Sequence, residues 1–313
     1  MRGLYFDGNL HYREDLPIPK VRAGESLVKI LEAGICNTDR EILKGYKAGF
    51  KGILGHEFVG LVEESDQSEL VGQRVVGELN AGCGQCYYCR HNLEMHCLNR
   101  QIIGMSIDGC FADYMAIKSH LLHPLKADLP TDKALFTEPL AAAFSVPNLV
   151  QVKPTAKIAI LGDGRLALMV GQVLALSGAE MTVFGRHEEK TVRFKQFAKT
   201  SLEITAADRQ AFDLVVEATG SAQGLESALS LVRSRGTIVV KSTYAEEAKV
   251  DLSQLVVREV TLKGSRCGPF EPALKMLERG LISLPEPEYH DLSDFKAAFS
   301  SRAFKAAFKI NQA

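Results

Sequence analysis

Residues 157–178 read KIAILGDGRLALMVGQVLALSG. KIAIL is an apolar strand, GDG a turn, and RLALMVGQVLALSG a helix with one face rich in Leu, Met and Val. Gly162, Gly164 and Ala167 fit G-x-G-x-x-G/A, and they fall between a strand and a helix, where that spacing has a physical use. Glycines permit the turn and let a pyrophosphate approach the helix N-terminus, whose free N–H groups and dipole favour an anion. Arg165 and Leu166 open that helix and join the two glycines as candidate cofactor contacts. The alternative is a tight strand-to-helix turn with no ligand. Outward from this turn, EMTVFGR (180–186), FDLVVEATG (212–220), GTIVVKSTY (236–244) and EVTLKGSR (259–266) alternate with helical stretches. Strands alternating with helices predict an α/β, doubly wound Rossmann domain with a parallel sheet.

The end of the second strand bears on the cofactor. An acid there would bind the adenosine ribose hydroxyls of NAD. The chain reads TVFGRHEEK, with Gly185 in the acid's place and Arg186 after it. Losing a carboxylate and gaining a guanidinium points to NADP rather than NAD. His187 either assists or is an exposed helix-start histidine. Thr219 and Gly220, at the end of another strand, are further cofactor-contact candidates. Arg266 follows the last strand and faces either the nicotinamide or a surface salt bridge.

The whole chain has 313 residues, 46% hydrophobic and 24% charged, which suggests about two soluble globular domains. Its 37 Lys and Arg against 38 Asp and Glu offer no footprint for nucleic acid or an anionic membrane. MRGLYFDGNLHYRED lacks a secretory apolar run, and no stretch approaches the ~18 apolar residues of a membrane span, so a cytoplasmic location is expected. Residues 1–125 carry short apolar stretches broken by glycine and predict a β-rich domain. TDKALFTEPLAAAFSV (131–146) predicts a helix capped by Thr131, with Pro139 and Pro147 marking breaks. FKAAF occurs twice near the end, at 295–299 and 304–308, and the first copy predicts a short amphipathic helix.

AGCGQCYYCRHNLEMHC (81–97) places Cys83, Cys86, Cys89 and Cys97 at spacing C-x2-C-x2-C-x7-C. In a reducing compartment structural disulfides are rare, and a redox couple needs only two thiols. Four thiolates suit a closed, structural zinc site, and Gly82 and Gly84 let the backbone wrap tightly. His91 and His96 either replace one thiolate or stand as solvated loop histidines. Cys110 and Cys267 have no partner spacing and read as small core residues.

GICNTDREIL (34–43), GHEFVG (55–60) and TEPLAA (137–142) contain Cys36, His56, Glu57 and Glu138. These are a thiolate, an imidazole and carboxylates, a set that fits catalytic zinc with an open position. Spacing alone does not join them. In their order with the cysteine loop and the glycine turn, these segments resemble the medium-chain zinc-dependent alcohol dehydrogenase superfamily. The closest motifs are those of its glucose and polyol dehydrogenase members. The resemblance implies a GroES-like β-barrel catalytic domain over 1–140, completed by 269–313, and a Rossmann domain over 141–268. It implies two zinc ions: a catalytic one held by Cys36, His56 and a carboxylate, Glu57 or Glu138, and a structural one in the cysteine loop. Thr38 matches the hydroxyl residue that takes the substrate proton. Glu41 stands where many alcohol dehydrogenases carry a relay histidine, and CNTDREI resembles the archaeal-type glucose dehydrogenases. Glu41 then receives the proton, binds a sugar hydroxyl, or is an exposed helix carboxylate. The implied reaction moves a hydride between an alcohol, polyol or aldose hydroxyl and NADP or NAD, in a homo-oligomer, dimer or tetramer. Three other readings compete: a zinc-free quinone or enone reductase, a zinc-ribbon module fused to a nucleotide sensor, and a degenerate member without turnover.

Overall fold

The computed structural model describes residues 1–45, 49–243 and 247–312. It divides into two compact units, Met1–Glu138 with the chain from Phe270 onward, and Pro139–Pro269.

The second unit is built on a six-stranded sheet in the order Lys199–Ser201, Glu180–Phe184, Lys157–Leu161, Phe212–Glu217, Val232–Val240, Thr261–Gly264. All five pairings are parallel. The chain starts in the middle, winds to one edge and then returns to wind to the other. This places a switch point between Lys157–Leu161 and Phe212–Glu217, beside the glycine turn. The strands are apolar because both faces are covered: Ala159, Leu161, Phe184, Phe212, Val215 and Ile238 form one core with Leu225 and Leu229 of helix Ala222–Leu231. Burying each large side chain contributes roughly 1.5–3 kcal/mol.

The short strand Lys199–Ser201 carries no apolar run and was not expected from the pattern. The strand expected over 236–244 instead begins at Val232 and ends at Val240. A register shift after Phe212 absorbs the extra residues at its start. Beyond its end Lys241 turns inward, and its Nζ donates to Ala142 O, Ser145 Oγ, Ser265 Oγ and Arg266 O. Tyr244, the last residue of the expected strand, lies outside the described residues.

In the first unit a seven-stranded sheet centres on Glu25–Gly34, a ten-residue strand. Glu57–Ser65 pairs antiparallel along it, Tyr114–Lys118 takes the first half of its other edge, and Ala306–Lys309 takes the second half. The helical stretch at 131–146 is two helices, Thr131–Ala134 and Thr137–Leu149. Thr131 is not the cap: Pro130 is, and the Thr131 hydroxyl accepts from Arg74. Neither proline breaks the chain. Pro139 lies in the first turn, where no N–H is needed, and Pro147 sits inside the last turn and a half. Among the described residues no helix is long and apolar enough to cross a membrane.

Candidate active site

Strand register assembles the first site. Gly34 is the last residue of its strand and pairs with Glu57, the first residue of the neighbouring one. In an antiparallel ladder the next residues, Cys36 beyond one end and His56 before the other, must emerge at the same edge. The C-terminal strand enters from the opposite side, with Ala307 paired to Gly34 and Ile35 donating to Ala306 O. Lys305 therefore arrives at that edge too.

Cys36 Sγ, a ring nitrogen of His56 and a carboxylate oxygen of Glu57 lie within 4.8 Å of one another. His56 and Glu57 are buried and Cys36 half-buried, so the trio is enclosed on one side and open on the other. Soft thiolate, imidazole and carboxylate are donors zinc accepts, and three donors leave a position for substrate. Asp39, fully buried in the helix Asn37–Leu43, holds the trio from behind. One carboxylate oxygen accepts the Cys36 N–H at 2.8 Å, and the other faces His56 Nδ1 at 3.5 Å. That last separation is an electrostatic contact rather than a hydrogen bond, and neither atom has another hydrogen-bond partner among the described residues. Facing Nδ1 with an anion directs the other nitrogen outward, the arrangement of a carboxylate–histidine–metal triad. Burial disfavours the imidazolium, but the charge and proximity of Asp39, then Cys36, outweigh it and raise the His56 pKa well above its ordinary value.

Behind Glu57 stands Lys305, whose Nζ forms a buried ion pair with Glu57 Oε2 and lies 3.5 Å from Ile35 O. This pair explains Gly34: a Cβ there would sit 2.7 Å from Glu57 Oε2 and 3.3 Å from Lys305 Cε and Nζ. Thr38 Oγ1 is 3.7 Å from Cys36 Sγ. Glu138, half-buried in the first turn of Thr137–Leu149, does not belong to the trio. Glu41 pairs at 2.9 Å with Lys44 one turn along the helix, and its side chain is 40% exposed. Cys110 is buried, its thiol 3.6 Å from Glu57 O, and burial pushes its pKa up, so it is an unreactive core residue.

Neither Asp39 nor Lys305 was among the residues the sequence singled out. Asp39 had a local signal, since Cys36-x-x-Asp39 has the spacing at which an N3 carboxylate reaches the N-cap amide. Lys305 had none, because its partner lies 248 residues away.

The four loop cysteines also converge, their sulfurs within 4.8 Å. Cys86 Sγ and Cys89 Sγ are 3.5 Å apart, Cys83 Sγ and Cys89 Sγ 4.0 Å, so these are thiols and not disulfides. Backbone N–H groups of Gln85 and Cys86 draw the Cys83 pKa down to about 6, toward the thiolate a metal needs, while burial pushes the neighbouring Cys89 up to about 12. His91 and His96 are not in the group, and His91 Nδ1 lies 2.7 Å from Tyr87 O.

At the glycine turn, Gly162 has φ +115°, and a Cβ there would lie 2.6 Å from Ala218 O across the switch point. Gly164, the N-cap of helix Arg165–Ala175, is different: a Cβ there would meet nothing within 4 Å. The fold needs the first glycine, whereas the second leaves open space before a helix N-terminus, as a pyrophosphate requires. Thr219 donates its N–H and hydroxyl to buried Glu217, and Gly220 donates to Ser242 Oγ at 2.8 Å. Asp163, between the glycines, accepts from the N–H groups of Arg186 and His187. Gly185 is buried and Arg186 exposed. Arg266 is exposed, with its carbonyl on Lys241.

A Rossmann sheet joined to a barrel-like β unit with two cysteine-containing donor groups defines a zinc-type dehydrogenase. Two family models match: the alcohol dehydrogenase GroES-like domain over residues 22–127 and the zinc-binding dehydrogenase domain over 166–279. D-arabinitol dehydrogenase 1 of Uromyces fabae is 27% identical over 94% of this chain and 91% of its own length. A putative zinc-binding dehydrogenase from Sinorhizobium meliloti, solved bound to NADP, superposes with a TM-score of 0.90 at 25% identity, covering 98% of each chain. An alcohol dehydrogenase from E. coli, rspB, solved with NADH, gives 0.90 at 23% identity over 100% of this chain and 99% of its own. The chain belongs to the medium-chain zinc-dependent alcohol dehydrogenase superfamily. It is accordingly an NAD(P)-dependent oxidoreductase of the zinc type that acts on hydroxyl groups.

Proposed function

We propose that this dehydrogenase oxidises a secondary hydroxyl of a polyol or sugar, using zinc at Cys36, His56 and Glu57 and preferring NADP. The observation that carries this is the trio itself, a mixed donor set with Asp39 behind its histidine and one side open. Zinc bound there acts as a Lewis acid and lowers the pKa of a hydroxyl. Cys36, His56 and Glu57 supply its protein ligands. Asp39 keeps His56 in one tautomer, and Lys305 holds Glu57 in place. Thr38, the second residue of the helix Asn37–Leu43, accepts the proton leaving the substrate and passes it outward. The glycine turn positions the dinucleotide, and the hydride transfer is the cofactor's own chemistry. Glu138 stands outside the donor trio and is given no role on the metal. Glu41, paired with Lys44, belongs to the surface of the helix.

The polyol preference follows the relative named for D-arabinitol. The NADP preference follows Gly185 and Arg186. The four-cysteine lobe would hold a second, structural zinc with no open position. A homo-oligomer follows from the outer edge of Thr261–Gly264, which no strand covers among the described residues, flanked by exposed Leu252, Val256, Val257 and Leu262. An uncovered edge beside apolar side chains fits a two-fold pairing with a second copy.

The test is a spectrophotometric assay of NADP and NAD reduction against pentitols, hexitols, aldoses and simple alcohols. Turnover of a polyol or aldose at least tenfold more efficient than of any simple alcohol is expected. Activity confined to simple alcohols, or undiminished after zinc removal, would overturn the proposal.

A further inference from the structure

The loss of the acid at position 185 is only half of what the structure shows at the second strand's end. A Cβ on Gly185 would lie 2.5 Å from Thr191 Cγ2, 2.9 Å from Asp163 Cβ and 3.1 Å from Asp163 Oδ2. The space an acid at 185 would start from is thus already filled, by the Thr191 methyl and by a carboxylate from the glycine turn. Asp163 Oδ2 accepts from Arg186 N at 2.7 Å, His187 N at 2.8 Å and His187 Nδ1 at 2.9 Å. Its side chain is 11% exposed, and among the described residues Oδ1 takes no hydrogen bond.

We propose that Asp163 is a cofactor-specificity residue, a carboxylate relocated from the strand end to the glycine turn, which favours an unmodified adenosine ribose and restrains the preference for NADP. The proposal rests on the reading that this turn binds a nicotinamide dinucleotide. Two successive backbone N–H groups beside Arg186 form an anion site, and Asp163 already occupies it with a negative charge of its own. Burial works against that charge, but the His187 side chain and the two backbone N–H groups outweigh it and hold the carboxyl below its ordinary range, so it is ionised at neutral pH. A 2′-phosphate drawn by the Arg186 guanidinium meets this like charge, whereas a ribose hydroxyl finds Oδ1 as an acceptor. Arg186 and Asp163 therefore pull in opposite directions, and the chain uses both cofactors with a modest bias. Because Thr191 and Asp163 fill the space, Gly185→Asp cannot restore the usual NAD arrangement.

The experiment measures dissociation constants by calorimetry for NADP, NAD, adenosine 2′,5′-bisphosphate and AMP on the full chain and on Asp163→Asn and Asp163→Ser, with melting curves to check folding. Asparagine keeps the shape and an acceptor while removing the charge. The expected result is an NADP-to-NAD affinity ratio raised about tenfold in Asp163→Asn, with adenosine 2′,5′-bisphosphate gaining against AMP by a similar factor. Should Asp163→Asn misfold, the same shift in Asp163→Ser supports the proposal. A ratio unchanged within twofold in folded variants, or moved toward NAD, overturns it and leaves the nucleotide-site reading standing. Absence of binding of either cofactor to the parent chain overturns both.

Discussion

Lys305→Met tests whether the buried ion pair is part of the site's construction. The Lys305 side chain is 4% exposed and that of Glu57 1%. Methionine retains most of the stem's volume, so the packing loss against Phe136 is small and the change is chiefly one of charge. Removing one partner of such a pair leaves the other charged in a poorly solvated place, at a cost of about 3–5 kcal/mol. With a urea dependence of about 3 kcal/mol/M for a unit of this size, the midpoint should fall by roughly 1–1.7 M. The chain has no tryptophan, so far-ultraviolet circular dichroism is the natural readout. Lys305→Met/Glu57→Gln should recover most of the loss, because the stranded charge is gone. Parent and variants are compared after zinc removal, since Glu57 is itself a proposed ligand and metal bound to the native state alone adds its own stabilisation. A midpoint within 0.2 M (about 0.6 kcal/mol) of the parent, or a double variant no more stable than the single, would refute the reasoning.

Metal counting should give two zinc ions per chain, one in Cys36→Ala with loss of turnover, and one in Cys86→Ser with a lower melting temperature. Gly162→Ala introduces a Cβ 2.6 Å from Ala218 O at φ +115°, so it should cost roughly 1–3 kcal/mol in denaturant and weaken both cofactors. Asp213 accepts from Lys157 N and Arg233 Nε, both at 2.7 Å; burial opposes its ionisation, but these donors prevail and its pKa lies below the ordinary value. A depressed carboxyl stabilises the fold above its unfolded pKa and loses that contribution as pH falls through the folded one. Asp213→Asn should therefore cost about 1 kcal/mol at pH 7, the gap closing below about pH 4. Val257→Asp with Leu262→Lys should lower the mass seen by light scattering to that of one chain; an unchanged mass would remove the edge from consideration.

What could be read from the sequence was whatever depends on near neighbours. The strand–turn–helix at 157–175 is local, and so is the cysteine loop, where four ligands fall within fifteen positions. Cys36 and His56 could be joined only by resemblance, because their meeting depends on the register of two strands, Gly34 opposite Glu57. Asp163 looked like a turn residue between glycines until its carboxylate was found beside Gly185, twenty-two positions on. A missing side chain is visible in a sequence, but the group that fills its space is not.

The two copies of FKAAF show where local information ends. The first lies in the helix Phe295–Ser300, entered through a turn in which Asp291 caps Ser293, and its Lys296 is exposed. The second supplies strand Ala306–Lys309, and its Lys305 is buried. Helix propensity is identical for the two, so it cannot be what separates them. The difference is the neighbour each can reach. The second copy meets the uncovered half of Glu25–Gly34 on one side and Glu288–His290 on the other, so its backbone groups find two ladders. Glu57 at the end of the next strand then gives its lysine a buried counter-charge. Without that carboxylate, desolvating an ammonium would oppose the strand by several kcal/mol. The pairing that brings Lys305 to Glu57 is thus also what permits Ala306, Ala307 and Phe308 to be in a strand, and the same contact secures a carboxylate of the proposed zinc site.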